Sequence, residues 1–162
     1  MRISELLQKE SIALGRKPQD KADAIGQMVE LLAKSGSLED KKKFKQAILE
    51  RERLSTTGIG EGIAIPHGKS SAVKRAALAA MVVPQGVDFA SAPVHLLFMI
   101  AVPEEGAELH LEVLERLAAM LMDEDFRKRL TAAKDAAEFL HILSIEEEKR
   151  FAETAEKQEY DY

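Results

Sequence analysis

The chain has 162 residues, a length that suits one domain with a hydrophobic core of its own. Its 23 basic and 28 acidic residues give a formal net charge of −5, which argues against a general nucleic-acid binder or membrane-surface binder. The sequence contains no cysteine, and this excludes disulfides, thiolate catalysis and cysteine-based zinc sites.

Two amphipathic helices are predicted in the first third of the chain. Apolar side chains recur at helical spacing over residues 18–35, where Pro18 and Asp20 suit the start of a helix and Gly36 suits its end. A second helix is predicted over residues 38–53. We expect its inner face to consist of Phe44, Ala47 and Ile48, with Leu54 as a further candidate.

Strands are predicted in the middle of the chain. Residues 63–65 are a short apolar segment between glycine and proline, and the longer apolar runs 76–83 and 94–102 have the length of strands. Residues 84–93, between the two long runs, are typical of a turn or hairpin region. Because the long runs are continuously apolar rather than alternating, we expect a sheet covered by helices on both faces.

Helical spacing returns at about Ala107, and residues 123–143 predict one or two further short helices. The order of helices, then strands, then helices predicts an α/β fold with three layers. The last residues are highly charged, so we divide the chain into a domain over residues 1–145 and a charged helical tail or linker over residues 146–162.

Membrane insertion is not expected. The longest apolar run, residues 94–102, is far too short to cross a bilayer. The N-terminal residues have no apolar signal core, so a cytoplasmic location is expected.

The glycine-rich segment over residues 58–70 is similar to a nucleotide-binding loop but has the wrong spacing. A phosphate-binding P-loop has four residues between its first glycine and Gly-Lys-Ser, whereas five residues separate Gly62 from Gly68. The dinucleotide fingerprint requires glycine where the chain has Ile63. No nucleotide cofactor is therefore predicted from this segment.

His67 is the residue of this segment whose side chain is best suited to chemistry. Pro66 limits the backbone before it, and Gly68 permits close approach after it, so the ring is held at the end of a buried strand. A neutral imidazole is a nucleophile near pH 7 without the help of a base. The alternative is a histidine that only caps a strand through a backbone hydrogen bond.

Basic and hydroxyl side chains near His67 suit the oxygens of a phosphoryl group. Arg51, Thr56 and Thr57 precede it, and Arg53 and Lys69 are the other basic residues nearby. For Arg53 and Lys69 we favour a simpler role, as the basic end of a helix.

The other three histidines differ in their surroundings. His95 lies in a predicted strand and His141 in a predicted helix, and we interpret both as structural, in or beside the core. His110 lies in the first turn of a helix, where free N–H groups favour an anion. A zinc site at His67 and His110 is a weaker alternative because a third ligand at a recognised spacing is missing.

A family resemblance is carried by residues 51–69, RERLSTTGIGEGIAIPHGK, which are similar to the signature of the type 2 enzyme IIA domains of the bacterial phosphoenolpyruvate-dependent sugar phosphotransferase system. This is the fructose, mannitol and nitrogen-regulatory family. Residues 20–40 and 94–121 are also similar to segments of that family, so the resemblance covers nearly the whole chain.

The resemblance implies a mixed β-sheet with helices on both faces and the activity of a phosphotransferase component. The phosphorylated histidine of the family falls on His67, which would accept phosphate from the phosphohistidine of HPr and pass it to a cysteine of an enzyme IIB domain. The second active-site histidine falls on His110, and the arginine and threonine of the family fall on Arg51 and Thr57. No metal or other cofactor is implied.

Within the family, residues 87–104 are more similar to the fructose branch, which implies a role in fructose uptake. The alternative is a nitrogen-type regulatory protein whose phosphorylation at His67 controls partner binding, and a weaker one is an anion-binding module that is never phosphorylated. In the fructose branch the domain is often fused to a IIB domain and a membrane IIC domain. A shallow site with an apolar rim is expected, for which Ile59 is a candidate, whereas Ile63 is expected in the core.

Overall fold

The computed structural model describes residues 2–90 and 92–160, with side chains up to Phe151. Within these residues a mixed sheet of six strands lies between two layers of helices, which confirms the predicted three-layer α/β fold. The elements in chain order are α1 (Ile3–Leu6), β1 (Leu7–Ala13), α2 (Lys21–Ala33), α3 (Lys41–Leu54), β2 (Gly58–Gly60), β3 (Ile63–Ala64), β4 (His67–Lys69), β5 (Ala77–Phe89), β6 (Ala92–Val102), α4 (Ala107–Leu121), α5 (Glu124–Thr131) and α6 (Ala136–Tyr160).

The centre of the sheet is the antiparallel hairpin of β5 and β6, whose register runs from Ala77 opposite Ala101 to Phe89 opposite Ala92. The sheet order is β1-β5-β6-β3-β2, and β4 also pairs with β6. Strands β3 and β4 run parallel to β6, whereas β2 is antiparallel to β3 and β1 is parallel to β5. Strand β6 therefore pairs with β3, which precedes Pro66, and with β4, which begins at His67.

Successive side chains of the central hairpin enter two different cores, because strand residues alternate between faces. Met81 and Met99 pack on the side of α2 and α3, whereas Leu78 and Phe98 pack on the side of α1, α4, α5 and α6. Burial on both faces is the physical reason for the continuous apolar runs, as predicted.

The ends of α2 follow the predicted capping chemistry. The side chain of Asp20 accepts a hydrogen bond from the backbone N–H of Asp23, and Gly36 has a φ of +74° after the last turn. The second predicted helix is α3, at whose start the side chain of Asp40 accepts a hydrogen bond from the backbone N–H of Lys43.

Two expectations from the sequence are wrong. Leu54, the last residue of α3, is 82% exposed instead of facing the core, and His141 is exposed on α6. Strand β1 was not predicted at all, because its residues 8–10 are polar and exposed and break the apolar pattern. His95, by contrast, is half-buried with Nδ1 at 3.1 Å from the carbonyl oxygen of Val83, as expected of a structural histidine.

Helix α6 continues through the boundary predicted after residue 145. Glu146 and Glu147, just beyond that boundary, are buried. A carboxylate oxygen of Glu147 accepts the backbone N–H of Ile3, and the other accepts that of Ser4 at 3.0 Å. The division at 145 stays a prediction, and residues 161–162 lie outside the described part of the chain.

None of the helices in the described ranges is long and apolar enough to cross a membrane.

Candidate functional site

The site forms where β4 and the start of α4 meet at one end of β6. Strand β4 places His67 beside Ile100, near the end of β6 at Val102. The chain then returns as α4, which begins at Ala107 and carries His110 in its first turn. Because β4 and β6 are parallel, the two histidines reach the same edge of the sheet although 43 positions separate them.

Gly68 allows α3 to pack closely against β4. A Cβ atom built at Gly68 would lie 3.1 Å from Cδ1 of Ile48 on α3, a distance that requires a neighbouring atom to move. The close approach brings the next turn of α3, with Arg51, to the cavity that His67 also lines. The glycine after the histidine therefore serves packing, as the sequence indicated.

The ring of His67 is half-buried and held in one tautomer. Its Nδ1 lies 2.7 Å from the carbonyl oxygen of Ile65. A carbonyl oxygen only accepts hydrogen bonds, so Nδ1 carries the proton and the lone pair of the neutral ring is on Nε2.

The pKa of His67 is held below its ordinary value, chiefly because burial disfavours the charged ring. The hydrogen bond to Ile65 acts in the opposite direction, as does the carboxylate of Glu52, whereas the cation of Arg51 lowers the pKa further. The balance favours a neutral imidazole at pH 7, which is the nucleophilic form.

His110 lies beside His67, with the two ring centroids 4.8 Å apart and the planes inclined at 47°. Its Nε2 is buried and has no hydrogen-bond partner among the described residues. Burial, then the charge that His67 carries when it is protonated and the cations of Lys69 and Arg51, lower the pKa of His110 to about 4. His110 is therefore neutral at pH 7 and keeps an unused ring nitrogen beside the nucleophile.

A cavity of about 290 Å³ unites these groups; it is lined by Ala47, Arg51, His67, Gly68, Lys69 and His110. Two side chains with fixed positive charge and two neutral imidazoles suit an anion with several oxygens. The helix-end role favoured for Lys69 is wrong, because this residue lies in β4 and lines the cavity. Arg53 does lie in the last turn of α3, as expected, and is exposed.

Thr57 does not line this cavity. It is buried, and its hydroxyl donates to Oε2 of Glu52 at 2.6 Å while its backbone N–H donates to Oε1 at 2.8 Å. The structure thus brings His67, His110 and Arg51 together and places Thr57 behind them, against a buried carboxylate.

Glu52 was missed by sequence reasoning. It lies four residues after Ile48, which itself follows Phe44 by four, so the helical stripe of α3 already pointed Glu52 inward. Burial alone would raise the pKa of Glu52, but hydrogen bonds from Lys21 and Thr57 outweigh it and hold the pKa below its ordinary value. The Nζ atom of Lys21 lies 2.7 Å from Oε1, so the carboxylate is ionised and paired.

Apolar side chains are exposed in segments adjoining the site residues. Ile59 is 44% exposed and Leu111, next to His110, is 56% exposed, whereas Ile63 is buried in the core as expected. In the ranges that the structure describes, no group of three or more His, Cys, Asp or Glu side chains is placed to hold a metal ion.

Comparison with known proteins gives a match to the family model for the phosphoenolpyruvate-dependent sugar phosphotransferase system, EIIA 2, over residues 5–145. The chain is 44% identical over 147 residues to the fructose-specific EIIABC component of the phosphotransferase system of Bacillus subtilis (strain 168). That alignment covers 89% of this chain but 23% of the relative, so the chain spans about a quarter of that protein's length.

Two solved structures have the same fold. The nitrogen regulatory protein IIA-Ntr from Neisseria meningitidis superposes with a TM-score of 0.80 at 33% identity, covering 87% of this chain and 98% of that one. Enzyme IIAMTL in its complex with phosphorylated enzyme IIBMTL from Escherichia coli superposes with a TM-score of 0.74 at 32% identity, covering 85% and 98%.

Proposed function

The chain belongs to the EIIA 2 family of the phosphoenolpyruvate-dependent sugar phosphotransferase system, and from this we propose that it carries a phosphoryl group on Nε2 of His67 between two partner proteins. The observation that supports the choice of atom is the hydrogen bond of Nδ1 to Ile65, which leaves the lone pair on Nε2. The choice of residue is supported by the cavity that His67 shares with Arg51, Lys69 and His110.

In the first step, the lone pair of Nε2 attacks the phosphorus of a phosphohistidine on the donor, HPr. The phosphorus–nitrogen bond of the donor breaks, and its electron pair returns to the donor ring. The proton on Nδ1 of His67 stays in place, and its hydrogen bond to Ile65 stabilises the positive charge that the ring gains.

In the second step, a cysteine thiolate of an enzyme IIB domain attacks the same phosphorus. The bond to Nε2 breaks and its electron pair returns to the ring of His67, which is neutral again. Neither step requires a metal or a nucleotide.

The surrounding side chains hold the phosphoryl oxygens. Transfer through a loose transition state depends mainly on position and on prepared donors. We assign this role to the guanidinium of Arg51, the ammonium of Lys69 and the unused ring nitrogen of His110. For Thr57 we propose a supporting role, because its hydroxyl is already bonded to Glu52.

The proposed acceptor is supported by the names of the relatives. The Bacillus relative is a fructose-specific EIIABC component, and the solved Escherichia coli complex pairs a IIA protein with a phosphorylated IIB protein. We propose that the acceptor is an enzyme IIB domain, in the same chain or in a separate one. We also propose that the protein acts in the cytoplasm and serves fructose uptake. The likeness to IIA-Ntr supports the alternative, a regulatory protein whose phosphorylation state controls partner binding.

The test is incubation with phosphoenolpyruvate, enzyme I and HPr, followed by mass spectrometry of the intact protein. One added phosphate that is stable in base and lost in acid is expected, with loss of labelling in His67→Ala. His141→Ala is the matched control, because His141 is exposed on α6, and it should be labelled like the unaltered protein. An acid-stable phosphate, or normal labelling of His67→Ala, would contradict the proposal.

Transfer from the labelled protein to purified IIB domains separates the two processes. Rapid transfer to a fructose-specific IIB domain supports a role in uptake. Retention of the phosphate in the presence of every IIB domain tested, together with phosphorylation-dependent binding of another protein, supports the regulatory role.

A further inference from the structure

We propose that Glu52 is a positioning residue that acts through Thr57 and Ile65 to keep the proton of His67 on Nδ1 and the nucleophilic lone pair on Nε2. This inference rests on the proposed function of His67.

The first link consists of two hydrogen bonds between Glu52 and Thr57. Both carboxylate oxygens of Glu52 are used: Oε1 accepts the backbone N–H of Thr57 and Oε2 accepts its hydroxyl. Glu52 is 7% exposed and Thr57 is 4% exposed, so water cannot readily replace these bonds. The segment that follows α3 is therefore fixed at Thr57.

The second link connects Thr57 to the ring of His67. The carbonyl oxygen of Thr57 accepts the backbone N–H of Ile65 at 3.0 Å, and the carbonyl oxygen of Ile65 accepts from Nδ1 of His67 at 2.7 Å. Pro66 restricts the backbone of Ile65 to extended conformations, so fixing the N–H of Ile65 also limits where its carbonyl oxygen lies. The acceptor that selects the tautomer thus depends on a chain of hydrogen bonds that begins at Glu52.

The charge of Glu52 contributes a second effect. The carboxylate acts on His67 in the opposite sense to Arg51, favouring a positive ring. Its own charge is maintained by Lys21, whose Nζ lies 2.7 Å from Oε1 and 4.9 Å from the ring centroid of Phe89. The His67 ring gains positive charge when Nε2 bonds to phosphorus, so a buried negative charge behind it stabilises the phosphorylated form.

A purely structural role for Glu52 makes a different prediction. If the carboxylate only stabilised the end of α3, its removal would lower the stability of the protein and leave the tautomer and pKa of His67 unchanged. The two roles are therefore distinguished by measurements on the ring itself.

The experiment compares Glu52→Gln with Glu50→Gln, an exposed glutamate on the same helix. Glutamine keeps the shape of the side chain but removes the charge and one acceptor. The ¹⁵N shifts of the His67 ring, measured across a pH titration, report the tautomer and the pKa. The initial rate of phosphoryl uptake from phosphorylated HPr reports the effect on transfer.

In the unaltered protein and in Glu50→Gln we expect one tautomer with the proton on Nδ1. In Glu52→Gln we expect a mixture of tautomers, a lower pKa of His67, and uptake slowed by roughly tenfold or more, since small displacements of a nucleophile cost up to about a hundredfold. An unchanged tautomer with a rate within twofold of the unaltered protein would overturn the inference, whatever happens to stability.

Thr57→Val provides the second variant if Glu52→Gln does not fold. Valine keeps the backbone N–H bond and loses the hydroxyl bond, so a partial shift toward mixed tautomers is expected, and an unaltered tautomer would overturn the inference.

The carrier function and the positioning role of Glu52 are refuted by different results. Absence of labelling in the unaltered protein removes the carrier function, whereas normal labelling with an unaltered ring in Glu52→Gln removes only the positioning role.

Discussion

Acidification should destabilise the protein through His110. The pKa of this ring is lowered to about 4 by burial, by His67 when that ring is protonated, and by the cations of Lys69 and Arg51, whereas an unfolded chain titrates histidine near its ordinary value of about 6.5. Between these two values the unfolded state binds a proton that the folded state does not. The free energy of unfolding is therefore highest above about pH 6.5 and falls as the pH is lowered toward 4.

The size of the effect follows from the two pKa values. A difference of this size corresponds to at most about 3.4 kcal/mol at low pH, and to at most about 2 kcal/mol at pH 5. Because the ring of His110 is partly exposed, solvent screening reduces these limits, and we expect about 1 kcal/mol at pH 5. His67 acts in the same direction, since its pKa is also lowered by burial.

The assay is urea unfolding at pH 7 and pH 5, for the unaltered protein and for His110→Gln. Glutamine does not titrate, so the difference between the two proteins in their loss of stability reports the ring of His110 and its coupling to His67, apart from the other acid-sensitive groups. The variant should lose about 1 kcal/mol less than the unaltered protein on going to pH 5. Equal losses, or an NMR titration that places His110 near 6.5, would refute the electrostatic account of a neutral histidine pair.

Three other predictions concern single side chains. Glu147→Ala leaves two backbone N–H groups of α1 without their acceptor and should lower the free energy of unfolding by about 2 to 4 kcal/mol in urea titrations, whereas no loss would show that α6 is dispensable there. Gly68→Ala places a methyl group 3.1 Å from Cδ1 of Ile48 and should cost about 1 to 3 kcal/mol and slow phosphoryl uptake; unchanged uptake would separate this packing from the site. Arg51→Gln removes a cation that lowers the pKa of His67, so an NMR titration should show that pKa rise while phosphoryl uptake falls, and a pKa that falls would contradict the assigned charge effect.

Local patterns predicted much of the fold. The apolar stripes of α2 and α3 and the two long apolar runs depend on spacing within single elements, which the sequence displays directly. Strand β1 escaped prediction because exposed polar residues interrupt it, and it forms by pairing with β5, far along the chain. Strand propensity is a weak guide where pairing with a distant strand decides whether a segment becomes a strand.

Within the candidate site, the sequence pointed to some of the residues that line the cavity but not to all of them. His67 stood out through its neighbours Pro66 and Gly68, and Arg51 through its charge. Thr57 was expected to contact the oxygens of a phosphoryl group, but its hydroxyl donates to Glu52. The carboxylate of Glu52, between two arginines, looks like a solvated helix end although its spacing from Ile48 places it on the inner face of α3, and its two bonds to Thr57 became visible only in the structure.

The sequence by itself determined where α2, α3, β5 and β6 form and which histidine is held rigidly, because these follow from apolar spacing and from residues within a few positions of each other. The hydrogen bond between His67 and Ile65 is of this local kind, since two positions separate them. Only the tertiary structure decided that His110 contacts His67 and that Lys21 pairs with Glu52. Those contacts depend on the parallel pairing of β4 with β6 and on the packing of α2 against α3, which join distant segments by burial rather than by sequence order.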